Sequence, residues 1–143
     1  MGTRRKAREA ALQFLFQADF SENEQWRSEE LEGRFMKFCS LYQISKKARP
    51  YAIELLRGIL DKKEEVDGAI RNNATHWRLE RIAGTDRNLL RVGIYELLFV
   101  DDVPAQVAIN EAVEIAKRFG SDESPAFVNG VLDAVQASFK NAG

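Results

Sequence analysis

The chain has 143 residues, 45% of them apolar and 30% charged, with a formal net charge of −1. That is enough apolar material for one domain, or two small helical subdomains, to bury a core without disulfides or a metal. A near-neutral total excludes a generally polycationic nucleic-acid binder, so any affinity for a polyanion has to come from local charge segregation.

Apolar residues recur with a helical period along nearly the whole chain, and no alternating strand pattern or Asn-Gly or Asp-Gly hairpin turn interrupts it. Over residues 4–20, Ala7, Ala11, Phe14, Leu15 and Ala18 form one stripe, with Leu12 at its edge. The opposite face carries Arg5, Glu9, Gln13 and Phe16. Arg4, Arg5, Lys6 and Arg8 gather at the start, opposed only by Glu9. The region from residue 21 to 33 is the reverse, with Glu22, Glu24, Glu29, Glu30 and Glu32 against Arg27, so different surfaces are expected to meet different partners. Residues 21–25 read as a loop. A second helix spans residues 28–42, with Leu31, Phe35, Phe38, Cys39 and Tyr42 inward. Ser45 opens a third helix, or Pro50 sits in its first turn, where the missing N–H is harmless. Tyr51, Leu55, Leu56, Ile59 and Leu60 face the core.

Residues 63–75 give a narrow stripe of Val66, Ala69 and Ile70. Trp77, Leu79 and Ile82 read as a short helical linker ended by Gly84, after which Thr85 or Asp86 caps the next helix. That helix, with Leu89, Leu90, Ile94, Leu97 and Leu98, is expected to be the most buried. Another carries Val107, Ala108, Ala112, Ile115, Ala116 and Phe119 and ends at Gly120, placed for a left-handed cap. Ser124 and Pro125 look like an N-cap followed by a first-turn proline, opening a last helix with Phe127, Val128, Val131, Leu132 and Val135. The pattern predicts an all-α bundle of about seven helices in two packed subdomains, residues 1–76 and 77–143.

Sites for chemistry are scarce. One cysteine, Cys39, and one histidine, His76, fall short of a zinc ligand set and make a weak catalytic dyad. No phosphate-cradling glycine loop is present. Glu111 and Glu114 share a helix face without the histidines a di-metal bundle needs. Neither a cofactor, a metal nor a deep pocket lined with titratable groups is expected, and the chain does not read as an enzyme. A single cysteine fits a reducing compartment. No apolar run is long enough to span a membrane, and no apolar segment of a signal peptide follows the first basic residues; the expected location is the cytoplasm. The basic cluster with Phe16 beside it is the remaining candidate: cations for phosphates and an aromatic face for a base. Lys117 and Arg118 precede a polar loop of Ser121, Asp122, Glu123 and Ser124, whose carboxylates can accept hydrogen bonds from base amino groups.

The stretch Val107-Ala-Ile-Asn-Glu-Ala-Val-Glu-Ile-Ala-Lys-Arg-Phe-Gly120, followed by Phe127-Val-Asn-Gly-Val-Leu-Asp133, resembles the signature of the NusB family. Arg4-Arg-Lys-Ala-Arg-Glu9 and Asp86-Arg-Asn-Leu-Leu-Arg-Val-Gly-Ile-Tyr-Glu-Leu97 agree with it in order and spacing. The resemblance implies an all-helical, non-catalytic transcription antitermination factor. It implies binding of the single-stranded boxA element of ribosomal RNA leader transcripts, as a heterodimer with the ribosomal protein NusE, and through it association with other Nus factors and RNA polymerase. Some members of the family also pair as homodimers that cover the RNA surface. By position, the implied RNA-binding residues are Arg4, Arg5, Lys6, Arg8, Phe16, Ser121, Asp122, Glu123, Ser124 and Phe127. Phe16 stands where relatives often carry tyrosine, which leaves stacking without a hydroxyl; Pro125 and Ala126 replace positions that are basic in some relatives. The implied NusE-binding residues are Trp77, Glu80, Arg87, Arg91, Tyr95 and Glu96. Residues 21–47 match no part of the pattern. The helical domains that precede some ribosomal RNA cytosine methyltransferases resemble the same fold, but this chain leaves no room for their cofactor-binding domain. A protein-binding adaptor without RNA affinity is the alternative reading.

Overall fold

The computed structural model describes residues 2–19, 28–74 and 78–142. The expected loop at residues 21–25, His76 and Trp77 lie outside them. All described regular structure is helical: α1 (Gly2–Asp19), α2 (Ser28–Tyr42), α3 (Arg49–Asp61), α4 (Lys63–Asn73), α5 (Gly84–Phe99), α6 (Ala105–Phe119) and α7 (Ser124–Ala142), with a 3₁₀ turn at Leu79–Arg81. The helices fall into two compact units, Met1–Asp61 and Lys62–Gly143. The division therefore sits at 61/62, whereas the sequence pattern placed it at 76/77. The reason lies in α4: its stripe of Val66 and Ile70 is fully buried and packs on α5 and α7.

In the first unit, α1 and α2 pack against α3. Ala7, Ala10 and Ala11 are buried on α1, and such small side chains let helix axes approach closely. The rest of that core is aromatic. Phe14 meets Phe35 and Phe38 edge-on, with ring centroids 5.5 and 5.4 Å apart, the geometry that ring quadrupoles favour. Tyr42, expected inward, is half exposed; its ring leans on Phe38 and its hydroxyl accepts a hydrogen bond from Gln17 Nε2 at 2.6 Å. The last turn of α2 closes with Gln43 in the left-handed region (φ 53°) and Ile44 N–H donating to Cys39 C=O at 3.0 Å. This is the six-to-one bond of a Schellman cap, made without glycine. Arg49 then clamps the Ile44 carbonyl with two donors, at 3.1 and 2.9 Å. α3 opens at Arg49 with Pro50 in its first turn, as the second of the two sequence expectations had it.

In the second unit, α5 is the central helix, touching α4, α6 and α7. Asn88, Leu89, Leu90, Val92, Gly93, Ile94 and Glu96 are all buried on it; Leu97 and Leu98 are only half-buried. Gly93 is where α5, α6 and α7 meet: a Cβ there would lie 3.0 Å from Leu132 Cδ1 and 3.7 Å from Ala112 Cβ. Ala108, Ala112 and Ala116 line the buried face of α6. Val107, expected on that face, is 44% exposed. α5 begins at Gly84, so this glycine opens the helix instead of ending the linker, and Thr85 and Asp86 lie in the first turn, not at the cap; Ala83 occupies the cap position without a side-chain bond.

Candidate nucleic-acid interface

The four N-terminal cations do not share one environment. Arg4 and Arg8 are four residues apart, hence on one helix face, and both guanidinium groups lie over the ring of Tyr51, at 4.4 and 5.8 Å from its centroid. Arg8 is only 4% exposed, so its charge is held inside the first unit by that aromatic face. Arg4 and Lys6 are exposed, while Arg5 and Phe16 are half-buried. The first turn of α1 contains no acidic residue. Cations there oppose the positive pole of the helix dipole, each at a cost of about 0.3–1 kcal/mol. A local rule broken in this way is found most often where a sequence serves something besides stability.

The remaining members of the RNA set lie in the second unit, between α6 and α7. Gly120 does not adopt the expected left-handed cap; its backbone is extended, with φ −98° and ψ −168°. The glycine is required for another reason. A Cβ at this position would approach Ser124 Oγ and Cβ to within about 2.5 Å, closer than any packing tolerates. Ser124 is likewise not the expected N-cap. It is 2% exposed, and its Oγ accepts a hydrogen bond from the Ser121 N–H at 2.9 Å and lies 3.2 Å from Ser121 Oγ. The hydroxyl points back across the loop and locks it, while the first bonded turn of α7 runs from Phe127 N–H to the Glu123 carbonyl at 3.1 Å. Ser121, Asp122 and Glu123 are left exposed on this braced loop, with Phe127 half-buried behind them. Of the two cations before Gly120, Lys117 pairs with Glu114 at 2.6 Å and Arg118 covers the Phe119 ring at 5.1 Å.

Beside the loop is a cavity of about 270 Å³ lined by Arg81, Ile82, Ala83, Asp86, Ser121, Glu123 and Phe127. The sequence pattern gave no hint of a cavity with titratable walls, because its two rims are separated by more than thirty residues of α5 and α6. In the sequence Asp86 is one of two candidate caps, with Thr85. Instead its Oδ1 is buried and has no hydrogen-bond partner in the protein.

The residues expected to bind a protein partner are mostly engaged within the second unit. Arg91 makes a two-pronged ion pair with Asp67, at 2.8 and 3.3 Å, and donates to Asn88 Oδ1 at 2.8 Å. With Asp67 4% and Asn88 0% exposed, this network ties α4 to α5 from inside. Arg87 donates to the carbonyls of Leu79 and Ile82, at 3.3 and 2.9 Å, and so fixes the 3₁₀ turn to α5. Glu96 is 1% exposed, and Tyr95 lies on Phe99, 5.5 Å between centroids. Glu80 is exposed. Charged residues on a helix read as surface in a sequence; only the facing Asp67 and the bare carbonyls show these arginines to be internal staples.

Among the described residues, no helix is long and apolar enough to cross a membrane, and no cluster of three or more His, Cys, Asp or Glu is placed to hold a metal. The chain is 59% identical to the transcription antitermination protein NusB of Desulfotalea psychrophila over 136 residues, 95% of this chain and 96% of that one. It is 39% identical to that of Geobacter sulfurreducens over the whole of both chains. Its fold superposes on the crystal form of T. maritima NusB with a TM-score of 0.80 at 37% identity, covering 94% of this chain and 90% of that one. It also superposes on NusB from a crystal structure of the antitermination factors NusB and NusE in complex with dsRNA, with a TM-score of 0.79 at 28% identity and coverage of 96% and 98%. The profile of the NusB family matches residues 5–137, and the chain belongs to that family of transcription antitermination proteins.

Proposed function

We propose that this protein binds the boxA element of ribosomal RNA leader transcripts in the cytoplasm, together with the ribosomal protein NusE, and acts by assembly without catalysing a reaction. The complex then joins other Nus factors and RNA polymerase. The observation that carries the RNA half of this reading is the concentration of Arg4, Arg5, Lys6 and Arg8 at the wrong pole of α1, with no acidic residue in that turn. The NusE half rests on relatedness to the NusB of the complex with NusE and dsRNA. One observation favours the rival, a protein adaptor without RNA affinity: Arg8 is buried and Arg4 is stacked, so part of the cluster already has a structural use.

The test is a fluorescence-anisotropy titration of a boxA-type single-stranded RNA and a scrambled control, each with and without NusE. Preferential, salt-sensitive binding of the boxA strand, strengthened by NusE through linkage, is the expected result. Equal or absent binding of both strands selects the adaptor. Replacing Arg5 and Lys6 with alanine should lower the salt slope by about 1.4, two phosphate contacts at about 0.7 each on a single strand; an unchanged slope removes these two side chains from the interface.

A further inference from the structure

We propose that the turn joining α2 to α3 is a second contact for the RNA strand, with Lys46 and Lys47 taking phosphates of the stretch next to the one held by the α1 cluster. The inference rests on the RNA-binding reading above, and it gives a role to residues in the 21–47 region, which match no part of the family pattern.

Four observations carry it. The first is charge segregation that reaches beyond α1. Residues 2–8 hold four cations and residues 33–53 hold five, and neither stretch contains a carboxylate, in a chain whose net charge is −1. Lys46 and Lys47 are exposed, and they are not among the described residues that form ion pairs. Adjacent like charges repel, and a polyanion relieves that repulsion. The second is how the two basic stretches meet. The turn is bonded into the start of α3: Ala48 N–H donates to the Ser45 carbonyl at 3.0 Å, and Ala52 N–H donates to the Ala48 carbonyl at 3.1 Å. Lys47 therefore stands about one helical turn before Tyr51, a rise of about 6 Å. The ring of Tyr51 is the one under the guanidinium groups of Arg4 and Arg8. Both basic stretches thus belong to one compact unit and adjoin at one side chain, so a single strand can engage both. The third is rigidity. Gln43 in its left-handed conformation, the bond from Ile44 N–H to the Cys39 carbonyl and the Arg49 clamp on the Ile44 carbonyl fix the backbone of the turn. Ala48 anchors it at 0% exposure. Only the lysine side chains remain to be ordered on binding, which lowers its entropic cost. The fourth selects the partner. Tyr42, at the start of the turn, is 52% exposed, with its hydroxyl held by Gln17 and its ring against Phe38. Cations flanked by a fixed aromatic ring suit a strand of phosphates and bases better than an acidic peptide.

The test compares the wild type with the double variant Lys46→Gln, Lys47→Gln in titrations of a boxA-type single-stranded RNA at a series of salt concentrations. Both side chains are exposed, so the variant keeps the fold. Its salt slope should fall by about 1.4, two phosphate contacts at about 0.7 each on a single strand, and the pair Lys46→Arg, Lys47→Arg should keep the wild-type slope. A control pair on α4, Lys63→Gln with Arg71→Gln, removes the same charge from exposed positions elsewhere and should leave the slope unchanged. An unchanged slope in the Lys46, Lys47 variant overturns the assignment while leaving RNA binding intact. An equal fall in the control pair reduces the effect to net charge and also overturns it. Weaker binding of NusE in the absence of RNA, with the RNA slope unchanged, gives the turn to a protein partner and overturns it as well. Absence of RNA binding by the wild type overturns both this inference and the function it rests on.

Discussion

Arg91 and Asp67 face each other with 11% and 6% of their side chains exposed, so their interaction belongs to the interior. Removing one member of such a pair leaves the other charge buried and alone, at about 3–5 kcal/mol. Arg91→Ala should therefore lower the urea midpoint strongly without changing the slope of the transition, whereas Arg57→Ala, which breaks the exposed pair with Glu32, should move it by less than about 1 kcal/mol. Equal effects would mean that the internal pair contributes no more than a surface one. Gly120 is the other decisive position. Its substitution by alanine drives a Cβ into Ser124, and the overpacking should cost about 1–3 kcal/mol and show as a lower Tm. The requirement for glycine was legible in the sequence; its cause was not, because a left-handed cap and a close neighbour both call for the same residue. Asp86 escaped for a similar reason. A short polar side chain after a glycine resembles a cap, and only the neighbouring loop shows that its oxygen lacks a donor.

At the scale of elements, helical spacing alone located the described helices and most of their inward faces. The span of α2 is the one predicted, Ser28–Tyr42. The misjudged positions lie at stripe edges. Val107 sits in the first turn of α6 and Tyr42 in the last turn of α2, and each leaves a large side chain about half in solvent. The turn after α2 leads to a prediction. Gln43 holds a left-handed conformation that costs a residue with a Cβ about 1–2 kcal/mol. Glycine adopts it freely but loses more entropy on folding, about 0.5–1 kcal/mol. Gln43→Gly should thus stabilise the protein by about 0.5–1 kcal/mol in chemical denaturation, and a loss of stability would show that the Gln43 side chain contributes contacts of its own.

For the molecule as a whole, the charge total of −1 conceals a marked unevenness along the chain. A cluster of cations at the start of α1 and carboxylates at the 120–124 loop give each unit its own electrostatic character, and composition alone could not have shown that. Stability has a pH dependence of its own. Burial pushes the Cys39 thiol above its ordinary pKa, with the nearby Arg49 charge pulling partly the other way. Below the usual thiol range near pH 8.5 both folded and unfolded chains keep the proton, and the contribution is fully present. As pH rises through that range the unfolded chain releases the proton first, so folding stability declines. Denaturation midpoints should fall on the alkaline side for the wild type and fall less for Cys39→Ala, once each is referred to its own value at pH 7. Parallel curves would show that the thiol takes no part.

The same thiol is the only one in the chain and is 0% exposed, on the residue whose carbonyl closes the α2 cap. It can meet a reagent in solution only when the three-helix unit opens. The rate at which a small thiol-reactive probe modifies the native protein is then a clock for those openings. It reports on residues 2–61 and is blind to excursions confined to α4–α7. Run with and without RNA, such a clock would tell whether a ligand quiets the basic end of the protein, with no label engineered into the chain.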